Sequence, residues 1–403
     1  MQRPTWVEID LDAIAHNVRA VCKKIGEDIK ILAVVKADAY GHGAIETSRV
    51  LLKNGVELLG VAIPEEGIEL RQAGINASII ILGSLLPEQL DSVVAFSLTP
   101  TICDRLIAKE LSYRAQKLHR KLKIHIKVDT GMRRLGVWHE DAVNFVKEIK
   151  HLNNLEIEGI YTHLATSDEE DKGFAYEQIG LFINVLKQLD AQNIHIPLKH
   201  AANSGAILDM PASYFNMVRP GLVLYGLYPS NSVSRSIRLQ PAMTFKTRIA
   251  YIKDVQKGVT IGYGRTYKTS KPSRVATLPV GYVDGYSRSF SNRGEVIVNG
   301  YRAPIIGRVC MDQCIIDVSA VPDVSIGNEV VLYGKSASGG TEEIPVETAA
   351  NLIGAIPYEI VSTIGKRVPK VYVSKSSNLE ELALSLRAKR SNPMCESASK
   401  IIV

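Results

Sequence analysis

The chain has 403 residues, 46% hydrophobic and 22% charged, an ordinary globular composition that excludes wholesale disorder and suggests two or three domains. No apolar run approaches the roughly 18 residues of a membrane span; the strongest, 77–82, is strand-sized. The net charge of +6 is modest, and its two basic clusters, 117–123 and 387–390, lack the interleaved aromatics of a nucleic-acid face, so neither nucleic acid nor membrane is expected as a partner.

The N-terminus, MQRPTWVEID, has no apolar signal core, and a cytoplasmic location is expected. Asp10 is placed to cap a helix whose apolar residues Ile14, Val18, Val21 and Ile25 recur at helical spacing. A nearly continuous apolar run follows at 29–35, the pattern of a strand buried on both faces. Similar runs stand at 56–63, 77–82, 95–99, 123–129, 156–163, 196–200 and 216–219, with helical stretches at 64–73, 87–94, 104–118, 140–151 and 172–191. Eight strands alternating with helices predict a (β/α)8 TIM barrel over residues 1–240, although periodicity alone leaves a doubly wound sheet open. From 241 to 374 the pattern turns mainly β, with strands expected at 243–252, 275–280, 295–298, 303–309, 314–318 and 329–333. Asn299-Gly300 reads as a hairpin turn, because both central positions favour positive φ. Residues 375–403, rich in Ser, Lys and Arg with one weak helical stretch at 379–386, read as a poorly ordered tail. Five scattered cysteines offer no disulfide framework, and Cys310 and Cys314 lack zinc spacing, so no metal is expected.

Barrel active sites lie at the C-terminal ends of the strands, and several of those ends here carry chemistry. Lys36 directly follows the first buried strand, where desolvation lowers an ammonium pKa and makes the amine nucleophilic. The alternative is a lysine simply leaving the barrel for solvent. The fifth strand ends in KVDTGMRR and the sixth in Tyr161-Thr162-His163. The seventh ends in HAANSG, where Ser204 and Gly205 open a short helix able to receive an anion. The eighth ends in Arg219-Pro220-Gly221, and Gly221 permits close approach of backbone amides to an oxyanion.

VVKADAYGHG resembles the cofactor-attachment motif of alanine racemases, pyridoxal-phosphate enzymes with a barrel and a β-domain. The resemblance continues through KVDTGMRRLGV, THLATSDE, HAANSGA, VRPGLVLYGLYPS, IGYGRTY, PVGYVDGYSR, IGRVCMDQ and IPYEI, in order, from about Trp6 to Val373. It implies that Lys36 holds pyridoxal 5'-phosphate and serves as one catalytic base, with Tyr263 as the opposite base. It implies Tyr40, Ser204, Gly221, Leu222 and Tyr358 as phosphate ligands and Arg219 as partner of the pyridine nitrogen. Arg134 and the backbone of Met311 would hold the substrate carboxylate. His163 would support Tyr263 and Arg219, His200 would back Arg219, and Lys127 matches a position often N-carboxylated in the family. Tyr282 and Tyr358 would narrow the entrance, with Arg308 and Asp168 further out. The resemblance further implies conversion between L- and D-alanine, provision of D-alanine for peptidoglycan, and a homodimer with shared active sites.

The chemistry suits these residue types. Racemisation requires two bases on opposite faces of Cα and a group that delocalises carbanion charge. An arginine at the ring nitrogen keeps its own proton, leaves that nitrogen unprotonated, and discourages transamination. Bland readings stand beside several assignments: Lys127 paired with Asp129, Tyr282 packed in the β-domain, His42 hydrogen-bonded locally, and Arg133 turned to solvent. Rival functions are a decarboxylase of the same architecture, a single-barrel cofactor carrier, and a racemase for another amino acid. The Arg219 and Tyr263 motifs argue against the first, and residues 241–373 against the second.

Overall fold

The structure, a computed structural model, describes residues 3–336 and 342–374; the expected tail and its weak helix lie outside the described residues. Eight parallel strands, Lys30–Val34, Leu58–Val61, Ser78–Ile81, Thr99–Ile102, Leu122–Asp129, Leu155–Tyr161, Leu198–His200 and Met217–Val218, form one ring. Pairing of Met217 with Lys30 and of Thr101 with His125 closes it, which excludes an open doubly wound sheet. The strands' side chains divide between two clusters, as the pleat requires. Leu32, Leu58, Ile80, Leu198 and Met217 pack together, while Ile31, Ala33, Leu59, Ile79 and Ile81 join the main core.

The first helix, Leu11–Ile25, starts where Asp10 accepts a hydrogen bond from the Ala13 amide at 2.9 Å and stops at Gly26, φ 91°. That cap contributes about 1 kcal/mol. The fourth barrel strand differs from the sequence reading. Residues 95–99 were expected to form it, yet the helix Leu90–Ala95 uses up the apolar residues, the chain turns at Ser97 (φ 50°), and the strand begins at Thr99.

The mainly-β part holds a large sheet ordered Tyr301–Pro304, Glu295–Val298, Glu329–Lys335, Met243–Arg248, Trp6–Asp10, Lys370–Val373. Asn299 and Gly300 join the first two, at φ 49° and 82°, as the hairpin signal requires. The chain's first strand thus sits inside this sheet, antiparallel to Met243–Arg248 and parallel to Lys370–Val373. Val7 and Ile9 are fully buried there, and the buried Lys246 ammonium pairs with Glu8 at 2.8 Å and Glu329 at 3.0 Å. A three-stranded sheet of Tyr251–Val255, Ser273–Leu278 and Cys314–Asp317 packs nearby, and a short hairpin of Thr260–Ile261 and Tyr267–Lys268 carries Tyr263 on its loop. Asp284, fully buried, ties the segments around Arg3 and Arg367 to this region. It pairs with Arg3 and, at 2.7 Å, with Arg367, which also reaches Asp312 at 2.6 Å.

Candidate active site

The first barrel strand ends in an unusual turn. Ala37, Asp38, Ala39 and Tyr40 all have φ between 51° and 54°, a left-handed helical run directly after Lys36. Such a run costs roughly 1–2 kcal/mol per residue for L-amino acids, so the surroundings must hold it. The β-domain presses on its far end: a Cβ on Gly41 would lie 2.0 Å from the Val361 carbonyl oxygen, and one on Gly43 would lie 1.9 Å from the Tyr372 hydroxyl. His42 is buried, with Nδ1 at 3.0 and 2.9 Å from the carbonyls of Ala39 and Tyr40, so the local reading of this residue describes its surroundings.

The turn sets Lys36 and Tyr40 at the barrel mouth, with the Lys36 ammonium 6.0 Å from the Tyr40 ring centroid. Burial, with the Arg134 charge adding to it, lowers the Lys36 pKa; Glu66 works in the opposite sense. Tyr40 is also close to Tyr358, ring centroids 5.9 Å apart. Its hydroxyl lies where a Cβ on Gly221 would be only 2.7 Å away, so glycine alone leaves this approach open. Ser204 Oγ accepts from the Gly221 amide at 3.0 Å, and the helix Ser204–Asp209 is capped by Asn203. Leu222 follows, buried, in the next turn. Tyr40, Ser204, Gly221 and Leu222 are therefore gathered at the ends of three different strands.

Arg219 lies behind that cradle, buried. Nη2 donates to the carbonyls of Thr162 and Ala201 at 2.7 and 2.8 Å and faces His163 Nδ1 at 3.3 Å. Nη1 lies 2.7 Å from His200 Nδ1. A guanidinium only donates, so His200 accepts there and carries its proton on Nε2, 2.9 Å from His125 Nδ1. His125 in turn is protonated on Nε2, facing Glu158 at 3.5 Å, and Glu158 reaches Lys123 at 2.7 Å. The ring of His125 fits because residue 159 is glycine; a Cβ there would lie 2.4 Å from it. Burial, then the Arg219 charge, drives the pKa values of His163 and His200 well down, so both imidazoles are neutral. Burial lowers Arg219 itself only to about 10. The buried Lys127 sits 5.5 Å from the Tyr161 ring centroid, and burial followed by the Arg219 and Arg134 charges lowers it to about 8. Asp129 does not pair with it among the described residues; that carboxylate accepts the amides of Gly131 and Arg133. Arg133 stacks over Trp138 at 5.5 Å, away from a competing role.

The β-domain candidates are placed differently. Tyr263 is 72% exposed, Met311 53% and Tyr282 42%, and Tyr263 has no hydrogen bond, ion pair or ring contact among the described residues. His163 does not meet Tyr263 within one chain; its partner is Arg219. Gly264, beside Tyr263, lies so near Arg308 that a Cβ would be 2.9 Å from the guanidinium. Arg308 also lines an open cleft with Arg288, Ser289, Ser291 and Arg293. Sequence reasoning passed over Glu66, His125 and Glu158. The Pro64-Glu65-Glu66 start of a helix was the one visible signal for Glu66.

A closed barrel with chemistry at its C-terminal mouth, followed by a β-domain presenting a second group of polar side chains, defines a two-domain barrel enzyme. A family model for the alanine racemase N-terminal domain matches residues 9–229, and one for the C-terminal domain matches residues 242–372. The chain is 49% identical over 373 residues to an alanine racemase of Halothermothrix orenii, covering 93% of this chain and 98% of that one. It is 44% identical over 375 residues to one of Methanococcus maripaludis, covering 93% and 100%. Among solved structures, alanine racemase of Clostridium difficile 630 superposes with a TM-score of 0.88 at 38% identity, covering 93% and 97%. That of Bartonella henselae, with covalently bound pyridoxal phosphate, superposes at 0.81 and 29% identity, covering 92% and 99%. The chain belongs to the alanine racemase family.

Proposed function

We propose that this protein interconverts L- and D-alanine with pyridoxal 5'-phosphate, by proton transfer at Cα between two bases, Lys36 and Tyr263. The observation that carries the reading is the mouth itself: a desolvated lysine beside an anion cradle of Tyr40, Ser204 and Gly221, backed by a buried arginine. The residues fit the cofactor. Arg219 is buried with no carboxylate partner, and its Nε–H has no partner among the described residues, so a donor remains for a ring nitrogen. Lys36 would hold the carbonyl carbon, the cradle with Leu222 and Tyr358 would hold the phosphate, and Arg219 would donate to the pyridine nitrogen. Bound there, the cofactor supplies the electron withdrawal that acidifies the alanine Cα–H bond.

The side chains then divide the work. Arg134 and the Met311 amide hold the substrate carboxylate and so fix which face of Cα each base meets. Lys36, its pKa lowered by burial, takes or returns the proton of D-alanine. The Tyr263 hydroxyl serves L-alanine on the opposite face, with His163 as its neighbour. Arg219 keeps its proton, since even its lowered pKa stays near 10. Lys127, with a pKa near 8, has a neutral fraction at working pH that can take up carbon dioxide, and the resulting anion would orient Arg134. Tyr282 would narrow the entrance.

Tyr263, Tyr282 and Met311 are exposed in a single chain, and this supports a homodimer in which each β-domain completes the partner's mouth. The same reading assigns residues 1–240 to cofactor binding and 241–374 to the β-domain, except that the strand Trp6–Asp10 lies in the β-domain's sheet, with a cytoplasmic enzyme supplying D-alanine for peptidoglycan. No helix among the described residues is long and apolar enough to cross a membrane. Incubation with L-alanine, then with other L-amino acids, tests the activity by D-enantiomer formation. Failure with alanine alongside turnover of another amino acid would move the reading to a different racemase.

A further inference from the structure

The left-handed run after Lys36 has little in its own sequence to favour it, Asp38 alone being of a type that visits positive φ. Two alanines, an aspartate and a tyrosine occupy it, and none is glycine. The restraint comes from two carboxylates. Asp38 accepts the Ala44 amide at 2.7 Å and pairs with Lys370 at 2.7 Å, fastening the outer side to the β-domain. On the other side stands Glu66, in the first turn of the helix Pro64–Gln72 that follows the second barrel strand. One of its oxygens accepts the Ala37 amide at 2.6 Å; the other accepts the Ala62 amide at 2.7 Å and lies 3.4 Å from the Ile63 amide. A helix cap needs only the second oxygen. The first is spent on the residue next to Lys36, where it meets the opening amide of the strained run.

We infer that Glu66 is a positioning residue for Lys36: its carboxylate staples the left-handed turn to the next barrel loop. The inference rests on the reading that Lys36 anchors the cofactor. Lys36 and Tyr40 bracket the turn, so fixing its handedness fixes the amine and one phosphate ligand together. No other side chain of this reach presents two acceptor oxygens and no donor. Glutamine offers one acceptor, and the paired amides of Ala62 and Ile63 would claim it, turning its NH2 group against the Ala37 amide. The charge matters as well. Lys36 faces two charged groups, the Arg134 guanidinium, which lowers its pKa, and the Glu66 carboxylate, which raises it.

The test compares cofactor-free wild type, Glu66→Gln and Glu66→Ala. Lys36 is labelled with an amine-reactive reagent across pH and quantified by peptide mass spectrometry, and affinity for pyridoxal phosphate is titrated separately. We expect the labelling midpoint to fall by about 0.3 pH unit or more in both variants. Affinity is expected to weaken by about tenfold, the loss typical of a hydrogen bond to a charged group. A purely capping role would leave the affinity unchanged, although loss of the charge alone would still lower the midpoint. If Glu66→Ala does not fold, Glu66→Gln combined with Ala37→Gly decides. Glycine adopts positive φ freely, so most of the lost affinity should return. Unchanged affinity in Glu66→Gln, whatever the midpoint does, or no recovery in the double variant, would overturn the inference. Borohydride reduction of the wild-type holoenzyme separates the two levels. A pyridoxyl label on another lysine would sink the anchor assignment, while the Lys36 labelling profile would still answer for Glu66.

Discussion

At the scale of single residues, the mouth is a place where cations are crowded and imidazoles are kept neutral. On the proposed mechanism, removing the hydroxyl of Tyr263 should strip one base and little else. Tyr263→Phe is expected to lower turnover in both directions by about 10²–10⁴-fold while cofactor absorbance persists, because general acid–base groups contribute on that scale. Near-normal rates in either direction would remove Tyr263 from the chemistry. Lys127 invites a separate test. With its pKa near 8, labelled bicarbonate should give a carbamate carbon signal that Lys127→Ala lacks, and the variant's KM for alanine should rise about tenfold as Arg134 loses its guide. Glu158 bears on stability. The His125 imidazole 3.5 Å away holds its pKa at about 2, below the ordinary 4.5, with burial opposing and Lys123 assisting. A depressed carboxyl contributes stability above the unfolded value and loses it as pH falls toward the folded one. The thermal midpoint of wild type should therefore drop more steeply than that of Glu158→Gln between about pH 4.5 and 2. The residues legible in the sequence were those that must stand at strand ends, such as Lys36, Ser204 and Arg219. Glu66, His125 and Glu158 were not, because each acts through another group and its partner is set by barrel register.

At the scale of elements, strands buried on both faces announce themselves as unbroken apolar runs, and seven of the eight barrel strands fell where those runs lie. The fourth did not, since apolar residues at a helix end look like the start of a strand. The N-terminal strand escaped for another reason: its WVEID alternation is plain, but its neighbours lie more than 200 residues away and pattern cannot name them. The left-handed turn was invisible because alanine ordinarily favours the right-handed helix. Its fit against the β-domain is testable. Gly41→Ala would add a Cβ 2.0 Å from the Val361 oxygen at φ 81°, whereas Gly55→Ala, at φ 90°, meets nothing within 4 Å. Urea unfolding should show Gly55→Ala losing only the left-handed penalty of about 1–2 kcal/mol, and Gly41→Ala losing a further 1–3 kcal/mol of overpacking. Equal losses would mean that the β-domain does not press on the turn.

At the scale of the whole molecule, the proposed sharing of sites between chains predicts complementation. Inactive Lys36→Ala and inactive Tyr263→Phe chains, mixed and allowed to exchange, should recover up to about a quarter of wild-type activity, since a mixed dimer holds one intact site and one doubly defective site. No recovery after proven exchange would place both bases in one chain.

The first strand, set between two neighbours in a sheet built mostly from the other end of the chain, has a consequence for synthesis. A ribosome releases residues 6–10 early, yet their antiparallel partner at 243–248 and parallel partner at 370–373 follow only after the barrel strands have all emerged. At about 5–20 residues per second, that strand waits on the order of ten seconds or longer without its neighbours. A chain begun at Leu11 should still show helical circular dichroism from the barrel but lose the cooperative melting of the β-domain; a two-domain melt like that of wild type would contradict this. The nascent protein has the material for one domain well before the other, and losing a few residues from its beginning opens a gap in the interior of its end.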